Sequence, residues 1–228
     1  IDGVEPLAAQ IRRRLPDARV AARAAGFALT SSEHRTLGIQ VIGVQPEHEA
    51  GVSTVPGLVR TGRFLESSDA QEIVIGAVMA RNLKVKVGDE LTLLGSGRDG
   101  SFAAGVLTVA GIFESGNQEM DRGLAEMPLD TFQDMFTMGG GGHSIAIALD
   151  SLDRMAPVLA AAKGVISGNK DLVVLDWNAL HPGLKQAIQA DFSSAWFMYG
   201  VLILLVAFSV LNTQLMSVLE RTREFGVI

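Results

Sequence analysis

From Phe192 to Leu219 no charged residue occurs, and Asp191 and Glu220 bound the run. Its centre, Trp196 to Phe208, is almost wholly apolar. A helix rises about 1.5 Å per residue, so about 20 residues cross a hydrocarbon layer roughly 30 Å thick. The run is therefore long enough to span a membrane, whereas a buried helix in a soluble domain seldom carries so long an apolar stretch. No proline or strong breaker follows Leu184, which predicts one helix from there to about Glu224.

The preceding chain alternates in a different way. Val4, Leu7, Ala8, Ile11 and Leu15 share one helical face opposite Glu5, Arg12 and Arg13, and Pro16-Asp17 ends that helix. Residues 18–30 and 36–45 read as strands joined by the polar turn Ser31-Ser32-Glu33. Residues 46–71 carry Pro46, Gly51, Pro56, Gly57 and Gly62 and read as loop-rich. Then come a strand at 72–75, a helix at 77–83, a strand at 90–94 and a turn at 95–101. Residues 105–113 are apolar on both faces, as a central strand is. A helix near 129–138, four glycines at 139–142, a strand at 145–149, a helix at 151–163 and a short strand at 172–175 complete the series.

The pattern predicts an α+β fold with a discontinuous outer part. Residues 1–47 and 143–190 form a βα-type subdomain. Residues 48–138 form an inserted β-rich one. Residues 191–219 are the transmembrane helix, and residues 220–228 begin a segment beyond it.

Composition narrows the function. Apolar residues make up 48% of the chain and mean hydropathy is +0.29, an excess the terminal run accounts for. The net charge of −6 argues against a nucleic-acid partner. With no cysteine there is no disulfide framework, thiolate metal site or thiol nucleophile. The chain opens on Ile1 and reads as part of something longer. Trp196 and Tyr199 lie where amphipathic rings favour the headgroup layer, and Arg221 and Arg223 follow the far end. The positive-inside rule then places residues 1–190 outside the cytoplasm.

Motifs that resemble chemistry have simpler readings. Gly95-Ser96-Gly97-Arg98-Asp99-Gly100 has the glycine spacing of a dinucleotide loop, but a strand follows where a helix is required, so a hairpin turn is expected. Glu47-His48-Glu49 are expected as solvated loop residues, since adjacent side chains diverge too far to share a metal. Asp121-Arg122 and Asp89-Glu90 lack a positioned base or nucleophile and are expected to be structural or exposed. Arg12-Arg13-Arg14 are expected on a solvated helix face. No catalytic residue, cofactor site or metal site is expected.

The terminus Asn212-Thr213-Gln214-Leu215-Met216-Ser217-Val218-Leu219-Glu220-Arg221-Thr222-Arg223-Glu224-Phe225-Gly226-Val227-Ile228 resembles the signature of FtsX-like (MacB-type) ABC transporter permeases. Gly62-Arg63-Phe64-Leu65, residues 72–76, Ala80 to Leu91 and residues 109–113 resemble, in order, pieces of that family's periplasmic core domain. The resemblance implies porter-like and sabre-like parts for the outer and inserted subdomains. It implies a bacterial inner-membrane subunit working with a cytoplasmic ABC ATPase and a second permease copy or paralogue, with a periplasmic carrier or adaptor as a further partner. It places ATPase coupling on Glu220, Arg221, Arg223, Glu224, Phe225 and Gly226. Lipoprotein release is the foremost expected role. Drug, peptide or toxin export through an adaptor, and a single-span protein with a binding ectodomain, are the alternatives.

Overall fold

The computed structural model describes residues 1–180 and 182–225, apart from the side chains of 182 and 220–225. The chain divides into two compact units, Ile1–Val173 and Val174–Ile228.

In the first unit the elements run α1 (Val4–Arg14), β1 (Arg19–Ser31), β2 (Thr36–Val44), α2 (Pro46–Val52), α3 (Val55–Leu58), β3 (Val59–Gly62), β4 (Glu72–Gly76) and α4 (Ala77–Leu83). They continue with β5 (Glu90–Ser96), β6 (Phe102–Phe113), α5 (Gln118–Gly123), β7 (Leu124–Pro128), α6 (Leu129–Met135), β8 (Ser144–Ala148) and α7 (Met155–Ile166). The second unit holds α8 (Trp177–Leu180) and α9 (Pro182–Phe225).

The eight strands among the described residues belong to one sheet, and six of them close into a ring: β1 pairs β2, then β7, β4, β6 and β5 follow, and β5 returns to β1. β2–β7 and β4–β6 are parallel pairs, whereas the other four pairings of the ring are antiparallel. β6 lies between β4 and β5, the central place its two apolar faces predict. β1 reaches beyond the ring, and its first five residues pair with β8. The strands expected for the outer and inserted parts are thus hydrogen-bonded into a single sheet.

Between its β8 and β5 pairings β1 leaves a stretch of edge. His143 occupies it: its backbone N–H donates to the Arg23 carbonyl at 3.0 Å, and its Nδ1 accepts from the Ala25 N–H at 3.0 Å.

The main core lies on the inner face, where Ile39, Val41, Ile73, Ile75, Leu91, Leu93, Leu107 and Met127 meet α1, α4 and α6. α6 brings Phe132, and Phe136 just beyond it stacks on that ring with centroids 4.4 Å apart. The strands facing these rings are built from small residues. A Cβ at Gly43 would lie 2.7 Å from Phe132 Cβ, and one at Gly95 would lie 2.6 Å from Phe136 Cε1. β1, rich in alanine, has weak intrinsic strand preference. Its small inward residues admit the aromatic layer, so packing rather than propensity makes it a 13-residue strand. A second, smaller core of Val44, Val55, Leu65, Val74, Ala110 and Phe113 lies apart from the first.

One expectation for these segments is refined and two fail. Residues 46–71 are loop-rich but also hold two short helices and a short strand, because Pro46 and Pro56 open α2 and α3 instead of breaking them. Proline suits the first helical turn, where its missing N–H costs nothing. Residues 172–175 form no strand: no neighbouring strand pairs with them, and Val173 is exposed. Glu47-His48-Glu49 lie on helix α2, and Glu49 is fully buried rather than solvated.

The glycine motif is a hairpin turn, as its context predicts. It joins β5 to β6, with the Gly97 N–H donating to the Ser101 carbonyl and Gly100 at φ 80°. Asp121 is structural: it is buried, and its Oδ1 accepts from both the N–H and the hydroxyl of Ser115.

Candidate functional site: an uncharged sheet face and an apolar helix

Two features carry the functional reading, one in each unit. The first is the outward face of β1, β2, β5 and β6. Because strand side chains alternate, inward burial of Ala28, Ile39, Leu93 and Ala103 sends their neighbours outward. Phe27 is 80% exposed, Phe102 76%, and Leu29 and Val106 each 51%. Around them stand Ser31, Thr36, Gly38, Gln40, Thr92, Leu94 and Ala104, none of them charged. A shallow groove of about 490 Å³ crosses this face between Phe27, Leu29, Gly38, Leu94 and Phe102. Large exposed apolar patches on a protein surface mark contact with another apolar body. On a chain with net charge −6, this run of neighbouring uncharged positions, which ends at the exposed Glu90 of β5, is a distinct chemical surface.

The second feature is α9. Within it the 37 residues Gly183–Leu219 are long and apolar enough to cross a membrane. Trp196 and Tyr199, the expected interface residues, are both exposed and lie three apart on neighbouring turns. Two hydroxyls in the helix are satisfied by its own backbone: Ser193 Oγ donates to the Gln189 carbonyl at 3.0 Å, and Thr213 Oγ1 to the Ser209 carbonyl at 2.9 Å. Such internal bonds remove the cost of placing a hydroxyl in hydrocarbon. Asn212 and Gln214 are exposed.

Glu220, Arg221, Arg223, Glu224 and Phe225 continue the helix backbone, while their side chains lie outside the described residues. Gly226 lies outside them altogether.

A polar cluster missed by sequence reasoning sits where α1, β1, β2 and α2 meet. Gln45 Oε1 accepts from Arg12 Nη2 and from the Ala22 N–H, each at 2.9 Å, and Gln45 Nε2 donates to Glu5 Oε1 at 3.1 Å. Arg12 is therefore tied into the fold rather than solvated. Next to this, Arg23 forms a two-point ion pair with buried Glu49 through Nε and Nη2. Glu126 on β7 is also buried, and its Oε2 has no hydrogen-bond partner. Burial pushes the Glu126 carboxyl up to about 8, with the Glu49 charge adding to the rise and Arg23 opposing it. A lone charged residue inside each of two apolar runs, at Arg23 and Glu126, was the available signal. Among the described residues, no group of three or more histidine, aspartate or glutamate side chains is placed to hold a metal ion.

Residues 2–165 match the model of the MacB-like periplasmic core domain. The chain belongs to this family. A lipoprotein-releasing system transmembrane protein LolC of Xylella fastidiosa strain Temecula1 is 24% identical over 193 residues, covering 82% of this chain and 46% of that protein. A LolC of Neisseria meningitidis serogroup B is 22% identical over 209 residues, covering 88% of this chain and 50% of that one. The chain thus spans about half the length of the curated relatives it matches. Among solved structures, the extracellular domain of the ABC-type transporter YknZ from Gram-positive bacteria superposes with a TM-score of 0.57 at 15% identity, covering 75% of this chain and 85% of that domain. That likeness establishes the mixed α/β ectodomain fold. Family match, relatives and apolar helix together make this an FtsX/MacB-like permease chain, with the ring-shaped sheet as its periplasmic-type core domain.

Proposed function

We propose that the chain is the outer domain and one membrane helix of an ABC transporter permease subunit that couples a cytoplasmic ATPase to lipoprotein release from the inner membrane. The observation that carries this reading is the family match over residues 2–165, followed in the same chain by an apolar helix long enough to span. Residues 1–190 then face the periplasm, as the arginines beyond the helix favour. The division of the outer domain into porter-like residues 1–47 and 143–190 and sabre-like residues 48–138 belongs to the same proposal. So does a second permease copy or paralogue beside it. ATP chemistry resides in the separate ATPase, which docks on Glu220, Arg221, Arg223, Glu224, Phe225 and Gly226.

The lipoprotein assignment draws on the relatives' names and on the uncharged face around Phe27 and Phe102. Its occupant in this reading is an acyl chain of the lipid-modified polypeptide. Hydrocarbon is the partner for which a face without charge offers no electrostatic penalty and apolar area gives about 25 cal/mol per Å² buried.

Depletion of the whole protein in its native host tests this. Lipoproteins are expected to accumulate at the inner membrane, and the Phe27→Asp/Phe102→Asp variant, inserted at the parent level, is expected not to clear them. Unchanged lipoprotein localisation on depletion would defeat the assignment and favour export of a drug, peptide or toxin.

A further inference from the structure

Glu126 is the described ionisable side chain for which the fold provides least. It is 2% exposed, and Oε2 lacks a hydrogen-bond partner. Its strand neighbours are Ile42 on β2 and Val74 on β4, both apolar. α2 contributes Glu49, and β1 contributes Arg23. α5, packed on β2 and β4, carries Asp121, whose carboxylate is already engaged by Ser115. Among the described residues Arg23 is the guanidinium that bears on Glu126, and it gives both Nε and Nη2 to Glu49. Two carboxyls therefore share one cation, and the local charge balances only while one carboxyl keeps its proton.

We propose that Glu126, Glu49 and Arg23 form a proton-controlled latch between the sheet and α2: while Glu126 is neutral, Arg23 holds Glu49 and with it α2, and loss of the Glu126 proton releases α2 from β1. The chemistry is a single ionisation, with the proton passing to water through the side where Arg23 is 24% exposed. Once Glu126 is charged, the Arg23 cation faces the charge of two carboxylates and one buried negative charge stays uncompensated. The strand cannot leave the ring, since β7 is paired on both sides. α2 is a seven-residue helix whose hold on β1 includes this ion pair, so it is the element that moves. Burial and the Glu49 charge place the transition near the upper end of the neutral range. An outer domain held this way loosens one named segment as its surroundings turn alkaline.

The chain has no cysteine, so a pair of spin labels is placed cleanly by Ala50→Cys on α2 and Gln40→Cys on β2, both exposed positions. The probe is the full chain in nanodiscs, read by pulsed dipolar spectroscopy from about pH 6.5 to about pH 9, a range bracketing a raised carboxyl. A narrow distance distribution is expected at the acid end, broadening at least twofold at the alkaline end. Glu126→Gln, which cannot ionise, is expected to stay narrow throughout. A distribution that does not change with pH in the parent overturns the proposal, as does equal broadening in the parent and Glu126→Gln. Should Glu126→Gln not fold, the parent titration alone decides, by the presence or absence of broadening.

Discussion

At the scale of the residue, the buried carboxyl of Glu126 makes a prediction separate from any movement of α2. Its ordinary value of 4.5 describes the unfolded chain, and about 8 the folded one. Between those values the folded state keeps a proton that the unfolded state gives up. Its contribution is fully present below 4.5 and is lost as pH rises toward 8. The slope is about 1.4 kcal/mol per pH unit while the difference lasts. His143, held below its usual 6.5 chiefly by burial, has the opposite sign, and its contribution is lost as pH falls. The interval from about pH 7 to 8 therefore isolates Glu126. Denaturation midpoints of the first unit, measured in the full chain, are expected to fall across it, and Glu126→Gln is expected to flatten the profile. A parent profile flat from pH 7 to 8 would contradict the burial assigned here. Neither Glu126 nor Arg23 was singled out in the sequence. A charge inside an apolar strand is visible, but whether a partner meets it depends on contacts between distant elements.

At the scale of the element, the alternations and turns were legible because they are local. The hairpin at Gly95 to Gly100, the helix over residues 4–14 and the strands flanking residues 31–36 follow from periodicity and turn chemistry. α5, β7 and β3 did not, as each is short and lacks a strong period of its own. β7 is a strand because β2 and β4 stand on either side of it. The closed ring was likewise hidden, since its parallel pairs join segments far apart in sequence. The packing of α6 is open to direct test. At Gly43 an added methyl meets Phe132 Cβ at 2.7 Å, next to backbone that cannot swing away. Gly43→Ala is expected to cost about 1–3 kcal/mol by overpacking. Phe132→Ala is expected to cost about 3–5 kcal/mol through the cavity it leaves. In the double variant the 2.8 Å contact with Phe132 Cγ is gone while the 2.7 Å contact with the Cβ at position 132 remains, so the losses should be partly non-additive. Additive losses in urea titrations would mean that the two sites do not touch.

At the scale of the molecule, the chain joins a folded outer unit to a helix with the length and composition of a span. The apolar run and the arginines after it were readable directly, because membrane thickness and charge bias act on sequence without reference to the fold. The proposed coupling role rests on Glu220 to Gly226, whose side chains lie outside the described residues. The account holds that an ATPase drives this helix from the cytoplasmic end. The decisive measurement is ATP turnover by the whole protein purified from native membranes in mild detergent, for the parent and for Arg221→Glu/Arg223→Glu. The parent is expected to carry a stoichiometric phosphate-loop ATPase and to hydrolyse ATP, and the charge-reversed variant to lose the ATPase or its coupled turnover. A variant that retains both assembly and coupled turnover, or a parent that purifies alone and hydrolyses nothing, would contradict the account.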